Sequence, residues 1–298
     1  MRNGVLNIYK ERGFTSHDVV AKLRGIIKQK KIGHTGTLDP EAEGVLPVCL
    51  GKGTKLCGML TDRDKVYETV LLLGQSTDTQ DTAGTVVSSA QVDVTEEQAR
   101  EAVMSFVGHY EQIPPMYSAL KVNGQKLCDL ARAGKEVERK ARPVEIYGID
   151  ILEISLPRVR MSVFCSKGTY IRTLCHDIGE KLGCHGCMEK LLRTRAGQFL
   201  LEDSITLAEV ERLRDEGLLD GAILPVDRVF SDFPAAVLKE TSSRLGHNGN
   251  PFRKTDIGSL EAEGDRLRVY DHVRRFIGIY EYHPEEALYC PVKIFYEK

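Results

Sequence analysis

The carboxylate of Asp39 lies in a polar stretch with glycines and a proline around it, inside the segment 31–55, KIGHTGTLDPEAEGVLPVCLGKGTK. Pro40 disfavours the helical conformation of the residue before it, so Asp39 is predicted to be extended, and Gly36 and Gly44 tolerate positive φ or a close backbone approach. The polar stretch exceeds the about four to six residues of a simple turn. Although an Asp-Pro pair alone suits an ordinary turn, a long aperiodic loop ahead of the apolar run VLPVCL favours a presented functional side chain.

The composition is that of a globular protein, with 298 residues, 42% hydrophobic and 28% charged. A chain of this length buries a substantial core and suggests one large domain with a smaller one, or two of middling size. The formal net charge of -2 is not typical of a nucleic-acid-binding protein. An RNA substrate would therefore require basic residues gathered on one face.

The sequence predicts a cytoplasmic protein. Its apolar runs fall short of the roughly 18 residues of a membrane span, and its N-terminus, MRNGVLNIYK, lacks the apolar core of a signal peptide. Eight cysteines are scattered along the chain, several within apolar segments. They are predicted to be reduced thiols rather than a disulfide framework.

The elements that must position Asp39 are a series of strands and amphipathic helices. Thr15 or Ser16 is predicted to cap a helix with an apolar face, and Thr95 with Gln98 forms a capping box ahead of another. The segment 65–74, KVYETVLLLG, has the alternation of a strand that is apolar on both faces and therefore central. Two more strands are predicted in 145–165, followed by a helix within SKGTYIRTLCHDIGEKL, and short strands and turns from about residue 232.

Three motifs, HTGTLDP, KVYETVLLLG and GTYIRTL, closely resemble those of the TruB family of tRNA pseudouridine synthases, which isomerise the uridine at position 55 in the T-loop. The resemblance covers nearly all of 1–230, with Glu11 where the family usually has proline. It implies an α/β (α+β) chain with the pseudouridine synthase fold: a catalytic domain over 1–230, with a large mixed, mostly antiparallel sheet flanked by helices. Residues 231–298 resemble, more weakly, a small PUA-like RNA-binding β domain.

The resemblance also assigns residues to the site. It makes Asp39 the catalytic aspartate and Arg172 the arginine delivered to it. Four further positions match family residues around the substrate: His34 beside the extruded nucleotide, Tyr67 stacking on the base, Tyr170 next to the arginine, and Leu191 as an apolar wall. From the residues alone, His34 is equally a simple hydrogen-bonding side chain, Tyr67 a core residue and Leu191 a core residue of a helix.

Isomerisation of uridine breaks the C1′–N1 bond, turns the uracil and joins C5 to C1′, so no cofactor or metal is expected. The reaction does need a nucleophile, and an ionised carboxylate serves. Burial would raise the pKa of Asp39, whereas a nearby Arg172 would lower it. The target base must also leave its stack to be reached. The expected partner is the T-arm of tRNA, and we expect a monomer without an obligate protein partner.

Other interpretations fit parts of the chain. The cysteines and histidines between residues 175 and 187 could hold zinc, although the ligands of structural zinc usually come in two separate pairs along the chain. The motif CHGC could also be a redox-active pair of cysteines. The spacing around Gly51 and Lys52 fails the phosphate-binding loop because Leu46 replaces the required glycine. A non-catalytic RNA chaperone and a guide-RNA-dependent synthase also remain. The basic cluster Arg139, Lys140 and Arg142 belongs either to a phosphate contact or to a solvated loop.

Overall fold

The computed structural model describes residues 1–296, in which eighteen strands and seven helices are assigned. The helices are α1 (Ser16–Ile27), α2 (Cys57–Thr61), α3 (Glu96–Met104), α4 (Leu127–Arg132), α5 (Ile171–Lys181), α6 (Leu207–Asp215) and α7 (Ser243–His247). The first thirteen strands are β1 (Gly4–Lys10), β2 (Ile32–His34), β3 (Glu43–Leu50), β4 (Lys65–Leu73), β5 (Gln75–Thr77), β6 (Val86–Ser89), β7 (Gly108–Gln112), β8 (Lys121–Val122), β9 (Gln125–Lys126), β10 (Arg142–Ser155), β11 (Arg158–Cys165), β12 (Gly186–Ala196) and β13 (Phe199–Leu200). The last five are β14 (Ala235–Leu238), β15 (Ile257–Leu260), β16 (Arg266–Tyr270), β17 (Phe276–His283) and β18 (Leu288–Ile294).

A nine-stranded sheet forms the larger part of the molecule. Its strands follow the order β1-β3-β12-β4-β11-β10-β7, with β13 on β12 and β2 on β3. The pairing of β12 with β3 is parallel, and the other pairings in this sheet are antiparallel. The expected α/β fold with a large mixed, mostly antiparallel sheet is therefore confirmed, and β4 is central as predicted.

Residue alternation decides which face of this sheet is covered. Along β4 the odd-numbered residues are buried and most even-numbered ones are half-buried. The odd face packs with α3 and α5 in one apolar cluster that contains Tyr67, Leu71, Val163 and Leu174. Residues on strands alternate between faces, so β4, β11 and β12 direct a defined set of side chains towards these helices.

Helix α1 covers β1 and β3 as its sequence predicts. Thr15 is the N-cap, accepting from the main-chain N–H of Asp18, whose carboxylate accepts from the Thr15 N–H. Val19, Val20, Leu23 and Ile27 lie on its buried face, in a cluster with residues of β1 and β3. The capping box at Thr95 and Gln98 is confirmed too. Thr206 caps α6 in a similar way, accepting from the main-chain N–H of Glu209.

A second sheet, in the order β15-β14-β16-β17-β18, is formed by residues between Ala235 and Ile294. It has a core of its own, but it also shares one with the large sheet. Ile279 and Phe295 belong to the same apolar cluster as Val5, Val45 and Cys49 of β1 and β3. The small sheet is therefore fixed against the large one by buried apolar contacts.

Two expectations about the whole chain bear on its chemistry. All eight cysteines are free thiols, as predicted. Within residues 1–296, none of the helices combines the length and the apolar character that crossing a membrane requires.

Candidate active site

Asp39 lies in the loop 35–42, which joins β2 to β3 and is called the catalytic loop below. The loop is shorter than the sequence suggests, because Ile32, Gly33 and His34 form the short strand β2 and pair with the end of β3. The run VLPVCL after it is buried in β3, as expected. The two strands fix both ends of the loop on the large sheet.

Lys10, the last residue of β1, binds the main chain that directly follows Asp39. Its side chain is fully buried, and its Nζ donates to the carbonyl oxygens of Ala42 at 2.6 Å and of Pro40 and Glu11 at 3.1 Å. Burial lowers the pKa of Lys10 to about 8, against the opposing attraction of Asp39. The exposed residue Glu11 thus contributes its carbonyl group where the family usually has proline.

Arg193 of β12 holds the loop from the other side. It is 1% exposed, and it donates from Nε to the carbonyl of Val45 at 2.7 Å and from Nη2 to that of Gly36 at 3.4 Å. Gly44 faces it in the parallel register with a φ of 104°, and a Cβ there would collide with the Arg193 main chain. Glycine is therefore required at this position.

Arg172, in the first turn of α5, pairs with Asp39 side-on. The Arg172 Nε lies 3.0 Å from Asp39 Oδ2, and its Nη2 donates to Oδ1 at 3.3 Å. The same guanidinium donates to the carbonyls of Thr79 at 3.0 Å and Tyr117 at 2.8 Å, and its Nη1 lies 3.6 Å from Asp81 Oδ2. The arginine is 5% exposed, so two carboxylates and two carbonyl groups of the protein surround a buried cation.

The electrostatics of Asp39 reflect two opposed effects. Its side chain is 35% exposed. Burial raises the pKa of Asp39 above its ordinary value, and the carboxylate of Asp81 adds to the rise, while Arg172 and Lys10 lower it. Arg172 therefore acts in the expected direction, but the removal of water outweighs it.

The structure brings two predicted tyrosines next to Asp39. Tyr67 lies on β4 directly across from Arg193, and its ring belongs to the same apolar cluster as Leu38. Tyr170 is the N-cap residue of α5 and leads directly to Arg172. Burial raises the pKa of both phenols, and the charge of Asp39 contributes to each rise.

The remaining two predicted residues lie on strands that flank these. Leu191 is on β12, opposite Thr69 of β4, and packs half-buried against the cluster that contains Tyr67. The alternative of a helical core residue is therefore wrong. His34 ends β2, and among residues 1–296 its buried Nδ1 has no hydrogen-bond partner within the usual geometry. Burial lowers the pKa of His34, which favours the neutral imidazole.

Sequence reasoning missed two charged residues of this site. Asp81 is within QSTDTQDTAG, directly after the central strand, and its carboxylate is 14% exposed beside Arg172. Lys10 closes the apolar strand GVLNIYK, where a terminal lysine resembles an ordinary exposed strand end. The available signals were an acid-rich turn after a buried strand and a lysine next to apolar neighbours.

The arrangement suits nucleophilic chemistry by a carboxylate. An arginine fixes both oxygens of Asp39, and aromatic and aliphatic side chains flank it. An electrostatically positioned carboxylate of this kind can form a covalent intermediate. In the described part of the chain, no group of three or more His, Cys, Asp and Glu side chains is placed to hold a metal ion, the Cys and His residues at 175–187 included.

Comparison with known proteins identifies the family of this chain. The model of the TruB family pseudouridylate synthase N-terminal domain matches residues 24–171, and that of the tRNA pseudouridylate synthase B C-terminal domain matches 172–231. The tRNA pseudouridine synthase B of Lachnoclostridium phytofermentans is 52% identical over 98% of this chain and 99% of its own. That of Bacillus pumilus is 42% identical, with 99% and 98% covered.

Solved structures resemble this chain at lower identity. An H/ACA RNP bound to a substrate RNA containing 2′-deoxyuridine has a TM-score of 0.74 at 27% identity, covering 99% of this chain and 85% of that one. A Cbf5-Nop10-Gar1 complex also has a TM-score of 0.74, at 28% identity with 98% and 84% covered. The chain belongs to the TruB family and is a pseudouridine synthase, an isomerase.

Proposed function

We propose that this enzyme converts uridine to pseudouridine at position 55 in the T-loop of tRNA, with Asp39 as the nucleophile. The observation that carries the proposal is the side-on pair of Asp39 and Arg172, with Tyr67 and Tyr170 close enough to feel the charge of Asp39. Relatives at 42–52% identity over nearly the full chain carry the name tRNA pseudouridine synthase B, which supports tRNA as the substrate.

The reaction is balanced without any added group. The C1′–N1 bond breaks, the uracil turns, C5 bonds to C1′, C5 loses its proton and N1 gains one. A covalent bond from Asp39, to C1′ of the ribose or to C6 of the base, would carry the detached fragment through the turn. The carboxylate must be ionised to attack, and Arg172 favours that state.

The flanking side chains would receive the extruded uridine. Tyr67 would stack on the base, which recovers about 1–3 kcal/mol of the cost of extrusion. Leu191 would provide an apolar wall, and Tyr170 would fix the opposite edge beside Arg172. His34, at the end of β2 where the catalytic loop begins, would lie beside the nucleotide next to the flipped base.

Two regions outside the active site would bind the RNA. The segment 113–141, called the basic loop below, has six lysines and arginines against three acids, whereas the whole chain has a net charge of -2. It would contact the phosphates of the T-arm. We assign 1–230 to the catalytic domain and 231–298 to an RNA-binding PUA-like domain, and we place the enzyme in the cytoplasm as a monomer.

The test uses the full chain and an unmodified tRNA transcript tritiated at C5 of uridine, without added metal or nucleotide. Release of one tritium per tRNA is expected from wild type. Asp39→Asn should lose at least about 10³-fold in rate, because it removes the nucleophile, while RNA affinity stays within about threefold. A transcript with cytidine at position 55 is the matched substrate control.

Three outcomes would contradict the proposal in different ways. Equal release by wild type and Asp39→Asn would remove Asp39 from the chemistry. Release that persists with the position-55 control would place the target elsewhere. Tight tRNA binding without release would favour an RNA chaperone or a guide-dependent enzyme, since solved neighbours at 27–28% identity include RNP structures.

A further inference from the structure

A buried serine in the first turn of α1 contacts the residue directly before Asp39. Ser16 is 1% exposed, and its Oγ accepts from the Leu38 N–H at 2.8 Å while lying 3.3 Å from the Leu38 carbonyl, to which it donates. The hydroxyl therefore satisfies both main-chain groups of Leu38. Ser16 does not cap its helix, because Thr15 does.

A buried glutamine does the same for the residue two before Arg172. Gln112, at the end of β7, is 1% exposed. Its Oε1 accepts from the Tyr170 N–H at 2.7 Å, and its Nε2 donates to the Tyr170 carbonyl at 2.9 Å. The side-chain amide thus pairs with the main chain of Tyr170 as a neighbouring strand would. Tyr170 immediately precedes α5, so its main chain sets where that helix begins.

We propose that Ser16 and Gln112 are positioning residues that set the geometry of the pair Asp39 and Arg172. The inference rests on the proposed function, because it assigns them a role through the nucleophile. Each side chain makes two hydrogen bonds to main chain beside one partner of the pair, from an element more than twenty residues away in sequence. Their side-chain hydrogen bonds go to the main chain of Leu38 and Tyr170 and not to Asp39 or Arg172, so they act by fixing the backbone.

The physical reason is the distance sensitivity of the pair. A side-on arginine contact requires both oxygens of Asp39 in one plane with the guanidinium, and a displacement of about 1 Å can cost on the order of a hundredfold in rate. Loss of the Ser16 hydroxyl leaves a buried main-chain N–H without its acceptor. The loop would then relax towards other hydrogen-bond partners, and the carboxylate of Asp39 would move away from Arg172.

The first pair of variants separates positioning from stability. Ser16→Ala should lower the single-turnover rate at saturating tRNA by about tenfold or more, with the Kd for tRNA within twofold. Thr15→Ala removes the neighbouring hydroxyl, which caps the helix, and should lower the Tm by about 2–4 °C while keeping the rate at temperatures where both variants are folded.

The second pair repeats the comparison on the arginine side. Gln112→Met keeps the side-chain volume but removes both hydrogen bonds to Tyr170, so it should slow the same step by about tenfold. Tyr110→Phe removes the other polar link from β7 to α5, from the Tyr110 hydroxyl to Asp177. Because Asp177 lies further along α5 than Arg172 does, Tyr110→Phe should leave the rate unchanged.

The pH dependence of the rate separates the two explanations, because a purely structural role of Ser16 and Gln112 would leave it unchanged. When Arg172 is displaced, the pKa of Asp39 should rise further, so the acid limb of the rate should shift to higher pH in Ser16→Ala and Gln112→Met. The double variant should lose less than the product of the single losses, since both act on one ion pair.

The outcomes distinguish this inference from the proposed function. Wild-type rates and an unmoved acid limb in both Ser16→Ala and Gln112→Met would overturn the positioning roles, while an inactive Asp39→Asn would leave the function intact. Turnover by Asp39→Asn would instead overturn the function and this inference together. Equal rate losses in Thr15→Ala and Ser16→Ala would mean that both variants act through the stability of α1, which would contradict the proposal.

Discussion

The catalytic loop 35–42 and the basic loop 113–141, which contains β8, β9 and α4, both contact Arg172, but they are held in opposite ways. The main chain around Asp39 is bound by buried side chains of Lys10, Ser16 and Arg193. The basic loop is mostly exposed, and its ion pairs, such as Arg139 with Glu136, involve solvent-exposed carboxylates.

The contrast shows how one enzyme combines fixed chemistry with an adaptable substrate surface. Buried hydrogen bonds to the main chain preorganise charge before the substrate arrives, which is where electrostatic catalysis gains most. Exposed ion pairs contribute little to stability, about 0–1 kcal/mol each, so a loop that relies on them can rearrange against an RNA backbone. Changes in the first loop should therefore affect rate, and changes in the second should affect binding.

The largest effect expected from a conservative change is that of Arg172→Lys. A lysine keeps the positive charge but cannot bind both oxygens of Asp39 or reach the carbonyls of Thr79 and Tyr117 together. The single-turnover rate should fall by about a hundredfold, with tRNA affinity nearly unchanged. Rapid-quench measurement at saturating enzyme tests this, and a loss confined to KM would place Arg172 in substrate binding instead.

Removing charge from the basic loop should have the complementary effect. The triple variant Lys121→Gln, Lys126→Gln and Lys135→Gln should weaken tRNA binding by about tenfold at 0.1 M salt and flatten the salt dependence of binding, because fewer phosphates are neutralised. The single-turnover rate at saturating tRNA should stay near that of wild type.

A control for this variant removes cations of similar exposure elsewhere. Arg158 and Arg160 lie at the far end of β11, and they point away from the face that contains Tyr67. Their replacement by Gln should leave both affinity and salt dependence unchanged. An equal loss in the control would mean that overall charge, not the basic loop, governs binding.

A smaller effect concerns stability rather than rate. Lys10 has a native pKa of about 8 against 10.5 for the free side chain. Between these values the unfolded chain holds a proton that the native chain has released, so the free energy of unfolding should rise with pH. From pH 7.5 to 9.5 this group should add about 2 kcal/mol, and Lys10→Met should remove that increment from urea unfolding curves.

Lys65 offers a matched variant outside the catalytic loop. Its pKa is also lowered by burial to about 8, and its Nζ donates to the carbonyls of Thr61 and Arg63 ahead of β4. Lys65→Met should therefore reduce the pH dependence similarly, whereas only Lys10→Met should also slow the chemical step. A rate loss of equal size in both variants would show that Lys10 affects the chemical step no more than a buried lysine elsewhere does.

Local patterns predicted much of the fold because the decisive contacts were close in sequence. The cap at Thr15, the capping box at Thr95 and the alternation along β4 involve neighbours within four residues. Strand β12 carried no such signal. Its alternation is interrupted by register shifts between Met188 and Lys190 and between Arg193 and Arg195, so its apolar residues do not follow a period of two.

The site shows the same division. Asp39 was marked by its loop, but its pairing with Arg172, 133 residues away, came only from the resemblance to a family. Ser16 and Gln112 were missed because a side chain that binds a distant main chain has no periodic signature. Each resembles an ordinary polar residue at the end of an element until the fold brings the segments together.

The protein partners of Arg172 limit the ligands that the active site can accept. Every nitrogen of its guanidinium already faces an acceptor of the protein, in Asp39, Asp81 or the carbonyls of Thr79 and Tyr117. An incoming anion would find no unengaged donor on this arginine, and it would meet two carboxylates instead. Competitive inhibitors of this enzyme should therefore be flat, uncharged base analogues. Phosphate-mimicking groups should add affinity only when they extend away from Arg172 and Asp39.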